Sequence, residues 1–481
     1  MSDSAAKELF KGQELDSEGK RENDSAVPYL HVVGAAPKGL PAWRQYVNSI
    51  IASEVSNVSR YMDVTVQWKR REEDTGALLA ALDCEKKFET SQVEALEKMN
   101  EKEGLRSLVL LNANINHDYN IEDTLAGIRK GLNRHSRVGI VAYNPYFRFL
   151  YSLASKLGIR KGPEPDTFVT FVDLENIAKL AGYDLVRSRP AVYIPWKLFG
   201  IGDVINKIIP AIPLLNYLSL VTILFLRPVR KEKRKPSLSI VIPARNEKGN
   251  IENALKRMPK FDGADIEVIY VEGHSSDDTW GEIKRVVEKY KDRFKLKAFQ
   301  QTGKGKVDAV RLGFREASGE LLTILDADLT MPPELLERFY SAYRRGLADF
   351  INGSRLVYPM EGNAMRPLNL MGNIFFAKAL SFVLGNRLGD SLCGTKLLSK
   401  IDYERCMKWR DDFGDFDPFG DYELLFPASV LGLGIIDIPI RYRDRTYGST
   451  NISRFRHGLM LLKMTLIGLF RIKLGKVSMP S

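Results

Sequence analysis

The chain has 481 residues, of which 44% are hydrophobic and 27% charged, with a formal net charge of +11. That length predicts two or three globular domains, and the charge points to an anionic partner: nucleotide, phosphorylated lipid, membrane surface or nucleic acid. Only three cysteines occur, Cys84, Cys393 and Cys406, far from metal-finger spacing, and they imply a reducing compartment and no disulfide framework.

Residues 1–27 are polar, charged and without periodicity, and read as a disordered tail with no signal peptide. Strand patterns follow at Tyr29–Gly34 and Met62–Trp68, with a helix at Ala42–Val55 between them. Ala77–Leu82 fits either a strand or a helix, and Thr90–Met99 is helical. Strands at Ser107–Asn112 and Arg137–Ala142 alternate with helices at Ile121–Leu132 and Tyr146–Leu157. A helix at Asp173–Ala181 precedes strands at Tyr183–Tyr193 and Leu218–Leu226. The apolar run Ile208–Leu226 is long enough to span a bilayer, but Pro210, Pro213 and Asn216 interrupt it, so a loop and a buried strand are expected. Alternating strands and helices predict a parallel α/β layer over residues 28–228.

Leu108-Val-Leu-Leu-Asn-Ala-Asn-Ile-Asn-His117, the helices after it and the two late strands resemble the class I S-adenosylmethionine methyltransferase fold. The resemblance implies a Rossmann-like, methyltransferase-type domain. Gly34-Ala-Ala-Pro-Lys-Gly39 lacks the spacing of that family's cofactor loop, and Trp68-Lys-Arg-Arg71 stands where an acidic residue for the ribose is expected. A degenerate scaffold is therefore expected, without S-adenosylmethionine.

Residues 229–236 form a basic, proline-bracketed linker. Beyond it, strands at Leu238–Pro243, Ile266–Val271 and Leu296–Gln300 each lead through a polar loop into a helix, the second of these capped by Ser275 or Ser276. A fourth apolar run ends at Asp326-Ala-Asp328, before Pro332 and Pro333. Residues two apart in extended chain point the same way, so both carboxylates can reach one cation. Four polar loops thus meet at the carboxyl edge of one sheet, where open α/β sheets bind ligands.

The set Pro243-Ala-Arg-Asn-Glu247, Val271-Glu-Gly-His-Ser-Ser-Asp-Asp-Thr279, Gly303-Lys-Gly-Lys306 and Asp326-Ala-Asp328 resembles family 2 of the inverting glycosyltransferases, dolichyl-phosphate mannose synthase-like members above all. The resemblance implies a GT-A nucleotide-diphospho-sugar transferase fold over residues 237–457. It also implies a UDP- or GDP-sugar donor and a polyprenyl-phosphate or saccharide acceptor. Pro243, Arg245, Glu247 and Glu272 would shape the nucleoside pocket, and Lys304 or Lys306 would pair with donor phosphate. Asp326 and Asp328 would hold Mg²⁺ or Mn²⁺ against the diphosphate, with Thr330 at a third position.

Further on, Arg355 would approach donor or acceptor phosphate, and Gly389–Lys396 would form an acceptor-side loop containing Asp390. Asp421, with Glu423 in reserve, would take the acceptor proton unless the acceptor is already an anion. Arg445 and Ser449 would close over the diphosphate. Residues 458–481 read as an apolar, basic helix against the domain or at a bilayer surface. The whole predicts a cytoplasmic enzyme, with contact at the cytoplasmic membrane face left open. Two other functions stay open: a bifunctional glycan methyltransferase-glycosyltransferase, and a nucleotide-binding protein without turnover. No specific nucleic-acid partner is expected, since neither an aromatic platform nor a helix-turn-helix signal accompanies the charge.

Overall fold

The structure is a computed structural model that describes residues 29–33, 39–101, 104–160, 162–359, 367–414, 420–443, 447 and 454–474. The chain divides into two compact units, one holding most residues up to Arg230 and the other most residues from Lys231 onward.

The first unit is built on a seven-stranded sheet. Its strands are β1 (His31–Val32), β2 (Val64–Trp68), β3 (Lys87–Thr90), β4 (Ser107–Asn112), β5 (Arg137–Tyr143), β6 (Tyr183–Ala191) and β7 (Val221–Pro228). Their order is β1-β3-β2-β4-β5-β7-β6. The strands β3, β2, β4 and β5 run parallel, while β7 runs antiparallel to both of its neighbours. Alternation along the strands fills two cores. Val109 and Leu111 of β4 and Leu224 of β7 face one, and Leu108, Leu110, Ile223 and Phe225 face the other.

This sheet corrects the strand register read from the sequence. Among the described residues of Tyr29–Gly34, His31–Val32 form a strand, and it pairs antiparallel to β3 at the edge. The first parallel strand is β2, so Trp68–Arg71 follows the first strand rather than the second. The second, Lys87-Phe-Glu-Thr90, escaped notice because two of its four residues are charged. It carries an acidic residue, Glu89, whose carboxylate accepts from Arg70 at 2.9 Å. Of the expected cofactor loop, residues 34–38 lie outside the described residues. Ala77–Ala81 resolves as a helix. The run from Ile208 becomes short turns and then β7, and no helix among the described residues is long and apolar enough to cross a membrane.

The second unit has its own seven-stranded sheet, with β8 (Leu238–Ala244), β9 (Ile266–Glu272), β10 (Lys295–Gln300), β11 (Leu321–Ile324), β12 (Phe350–Ser354), β13 (Lys396–Ser399) and β14 (Ile435–Pro439). The order is β10-β9-β8-β11-β13-β12-β14, and β13 alone is reversed against its neighbours. β11 lies parallel to β8, with Ile324 opposite Val241. Ile240, Ile242, Val268 and Tyr270 pack with Leu336, Phe339 and Tyr340 in the core of this unit. It is the α/β layer expected of a GT-A domain. Two of its strands, β13 and β14, are only four and five residues long and gave no separate sequence signal. A helix at Lys400–Phe413, capped by Ser399 through the Asp402 N–H at 3.0 Å, was likewise unforeseen.

Candidate active site

Each parallel strand of the second sheet ends in a polar loop, and hydrogen bonds stitch these loops together. After β8, Asn246 takes φ +58°, and its N–H donates to Ser275 Oγ at 3.0 Å. Its side-chain oxygen accepts from the Ser276 N–H at 2.7 Å. Ser275 and Ser276 therefore lace the first two loops instead of capping the following helix, which starts at Thr279 behind Asp278. Glu247 is buried, its N–H bonded to Thr279 Oγ1 at 3.0 Å and its carboxylate to Asn250 at 2.8 Å. Pro243 stays within β8, and Arg245 is exposed beside it.

Glu272 closes β9. It accepts from the Ser275 N–H at 2.5 Å and from Gln300 Nε2 at 3.0 Å. Burial would raise this carboxyl, yet those donors hold it below the ordinary range. Beside it, the Gln301 side-chain oxygen is buried without a hydrogen-bond partner among the described residues. A buried orphan acceptor on a ligand-binding rim is a polar contact waiting for a donor. Sequence reading passed over Gln301, and nothing in its neighbours marked it.

The fourth loop differs from its expected geometry. β11 ends at Ile324, and residues 326–329 form a tight turn in which the Leu329 N–H donates to the Asp326 carbonyl at 3.1 Å. Leu329 takes φ +54° to close it. Asp326 and Asp328 thus share a neighbourhood through a turn, not through extended backbone. Lys306 and Tyr442 each feel the charge of both carboxylates. Asp328 Oδ1 also accepts from Thr330 Oγ1 at 2.8 Å and from the Thr330 N–H at 3.1 Å.

Lys306 begins the helix Lys306–Glu316 and forms an ion pair with Asp326. The two side chains keep 36% and 29% of their exposure, so the pair remains within reach of a ligand. Burial would weaken the ammonium, but Asp326 and Asp421 hold its pKa well above the usual lysine value. Burial likewise opposes the charge on Asp326, while Lys306, Lys396 and Arg355 keep its pKa low. Lys304 is exposed and stands outside this cluster.

The reversed strand β13 brings in the other wall. Gly394 lies against the ion pair: a Cβ there would sit 2.2 Å from Lys306 Nζ and 2.3 Å from Asp326 Oδ2. Lys396 is fully buried and binds Asp421 Oδ1 at 2.5 Å. Asp390 is fully buried too. It accepts from Arg355 Nε at 2.7 Å, from its Nη2 at 2.9 Å and from its backbone N–H at 3.0 Å. Burial pushes the Asp390 carboxyl up, and the Arg355 guanidinium more than offsets this and holds it low. Arg355 also lies over the Tyr442 ring, 5.5 Å from its centroid. It is thereby fixed by Asp390, more than the sequence reading allowed.

Of the two proposed bases, Asp421 opens the helix Asp421–Val430 in this cluster, already paired with Lys396. Glu423 lines the same small cavity as Lys306 and Asp421, but it is buried, bound by Arg311 at 2.9 Å and 3.9 Å from Arg410. Both proposed bases are thus ion-paired, Asp421 with Lys396 and Glu423 with Arg311. Arg445 and Ser449 lie outside the described residues. Gly394 and Lys396, from the expected acceptor-side loop, and Tyr442, not singled out in the sequence, join the site. The topology brings the first two there, because β13 inserts between β11 and β12 from far along the chain.

The donor set suits a hard divalent ion: two carboxylates and the Thr330 hydroxyl around one turn, all oxygen ligands. Among the described residues no third acidic, histidine or cysteine side chain joins them, so the rest of a coordination shell would come from ligand oxygens and water.

Residues 239–406 match the family model described as Glycosyl transferase family 2. A dolichol-phosphate mannosyltransferase of Pyrococcus furiosus is 35% identical over 122 residues, which are 25% of this chain and 33% of that one. A dolichyl-phosphate hexose transferase of Haloferax volcanii is 27% identical over 226 residues, 47% of this chain and 91% of its own. The match thus spans a third of the first relative's length and nearly all of the second's. Among solved structures, glucosyl-3-phosphoglycerate synthase of Mycobacterium tuberculosis, in complex with Mn²⁺, uridine diphosphate and phosphoglyceric acid, is 17% identical. That likeness covers 51% of this chain and 80% of the other, with a TM-score of 0.36. The second unit of this chain carries a glycosyl transferase family 2 domain.

Proposed function

We propose that the second unit transfers a hexose, with inversion, from a UDP- or GDP-sugar to the phosphate of a polyprenyl lipid. The observation that carries the reading is the half-open cluster of Asp326, Asp328 and Lys306 at the carboxyl rim of the sheet. A divalent cation held by Asp326 and Asp328 would supply Lewis-acid stabilisation to the leaving diphosphate. Lys306 lies where it can share that negative charge as the bond from the sugar's anomeric carbon to the leaving oxygen breaks. Glu247, Glu272 and Gln301 line the adjoining rim and would orient the nucleoside.

The acceptor choice follows from the carboxylates. A hydroxyl acceptor needs a base, and Asp421, the candidate nearest Lys306, is engaged with Lys396. A phosphate oxygen attacks as an anion and requires no proton removal, and the names of both relatives point to lipid phosphates. A saccharide acceptor, with Asp421 taking the proton, is the rival within the same reaction class. For the first unit we infer a scaffold role, because the acids of its rim are taken up by neighbouring side chains, Asp74 by Gln67 and Asn112 and Glu89 by Arg70.

The test is a thermal-shift panel of nucleoside diphosphates and nucleotide sugars, with and without Mn²⁺. One base should stabilise the protein, and more so with the metal. No shift with any nucleotide would remove the reading.

A further inference from the structure

In the first unit the helix Ile201–Ile208 is built inside out. It meets its domain through polar groups. Asn206 Oδ1 accepts from the N–H groups of Tyr193 at 2.6 Å and Ile194 at 3.2 Å. Its Nδ2 donates to the Ile194 carbonyl at 2.8 Å and to the Tyr46 hydroxyl at 3.2 Å. Asp203 bonds the same tyrosine. Gly202 is buried so tightly that a Cβ would lie 2.0 Å from the Trp196 carbonyl oxygen, which makes the helix and the turn before it one piece. The apolar residues Ile201, Val204 and Ile208 form a stripe on the opposite side, and all three are exposed.

The turn leading into this helix shows the same inversion. Trp196, Leu198 and Phe199 are exposed, and the last two take φ +44° and +53°. Left-handed backbone is unfavourable for such residues, and here it holds two apolar side chains out in water. Lys197 and Lys207 flank the stripe and are exposed. Tyr217, later in the same connection, is also exposed, and its ring meets Tyr146 edge-on at 6.1 Å, next to the helix Arg148–Lys156. That helix buries none of its residues and displays Phe149 and Leu153 between Arg148 and Lys156. Two carboxylates here are exposed as well, Asp203 bonded to Tyr46 and Glu164 to Ser152.

A reversed amphipathic helix, a protruding apolar tip, rim aromatics and two flanking lysines describe the requirements of a lipid–water interface rather than of a protein groove. We propose that this face of the first unit seats on an anionic bilayer. Leu198, Phe199 and the Ile201–Ile208 stripe enter the acyl boundary, Trp196 and Tyr217 lie at headgroup level, and Lys197 and Lys207 meet lipid phosphates. The inference is independent of the transfer reaction, since no residue of the candidate active site takes part.

The test uses the full chain with vesicles of phosphatidylcholine containing about one third phosphatidylglycerol. Brominated acyl chains should quench a tryptophan component that disappears in Trp196→Phe. The triple variant Phe199→Ser, Ile201→Ser, Val204→Ser should sediment with vesicles roughly tenfold more weakly. Lys197→Glu with Lys207→Glu should lose the preference for anionic vesicles. Unchanged melting temperatures confirm folding, and the Trp196 signal needs no destabilising change. Equal quenching in wild type and Trp196→Phe would overturn the proposal. So would self-association without vesicles that the triple variant abolishes, because a second copy would then be the occupant.

Discussion

The two units place comparable rims at the carboxyl ends of their parallel strands, and they fill them differently. In the first, Asp74 stands in the loop after β2 and is used up locally. It accepts from Gln67 at 2.6 Å, Asn112 at 2.8 Å and the Gly76 N–H at 2.9 Å. Glu89, at the end of β3, is paired with Arg70. In the second, Asp326 is ion-paired with Lys306 beside Gly394, which leaves the pair room, and both side chains remain part-exposed. A rim whose acids are taken up by neighbouring side chains contributes order. A rim whose opposite charges stay reachable can exchange its internal partners for a ligand's.

The sharpest break of this contrast removes the acids of the second rim. Asp326→Ala or Asp328→Ala should lower transfer by about a thousandfold or more, measured as donor turnover. Equal activity in either variant would show that the rim is ornamental.

Next in size is the buried support behind it. Asp390→Asn leaves Arg355 without its carboxylate and should cost about 3 kcal/mol near neutral pH, read from urea unfolding. Because the folded Asp390 carboxyl titrates below its unfolded value, wild-type advantage is complete above the unfolded carboxylate range. It should fade as pH falls through the depressed folded value. An advantage that is flat into acid would contradict the charge assignment.

Gly394→Ala introduces a Cβ onto Lys306 and Asp326 and should reduce turnover by roughly tens of fold while shifting the melting temperature little. Asp421→Asn sharpens the acceptor question. A phosphate acceptor predicts a loss of about fivefold or less, whereas a hydroxyl acceptor predicts about a hundredfold or more. At the small end lies the first rim. Calorimetric titration with S-adenosylmethionine should show no binding at micromolar concentration, and clear heat there would make that unit more than a scaffold.

How much of this was legible from the chain alone depends on sequence distance. Asp326 and Asp328 announced themselves because two acids end an apolar run, and Glu247, Glu272 and Lys306 follow strands in the same way. The turn at Leu329 was hidden, since nothing in the residue type requests a left-handed leucine. Lys396 sits in a four-residue strand that pairs antiparallel with β11, so neither its strand nor its burial gave a periodic signal. The pairing of Glu423 with Arg311, 112 residues away, left no local signal either. In the first unit the early strand register slipped for a related reason: β3 is short and half charged, and an edge fragment stood in for it.

Calorimetry of the matching nucleoside diphosphate, titrated into wild type and into Asp328→Ala with Mn²⁺ and with chelator, probes the central claim most directly. Binding that is strong only for wild type with metal, and that falls to the chelated level in the variant, is the predicted outcome. Nucleotide affinity indifferent to both the metal and the substitution would contradict it.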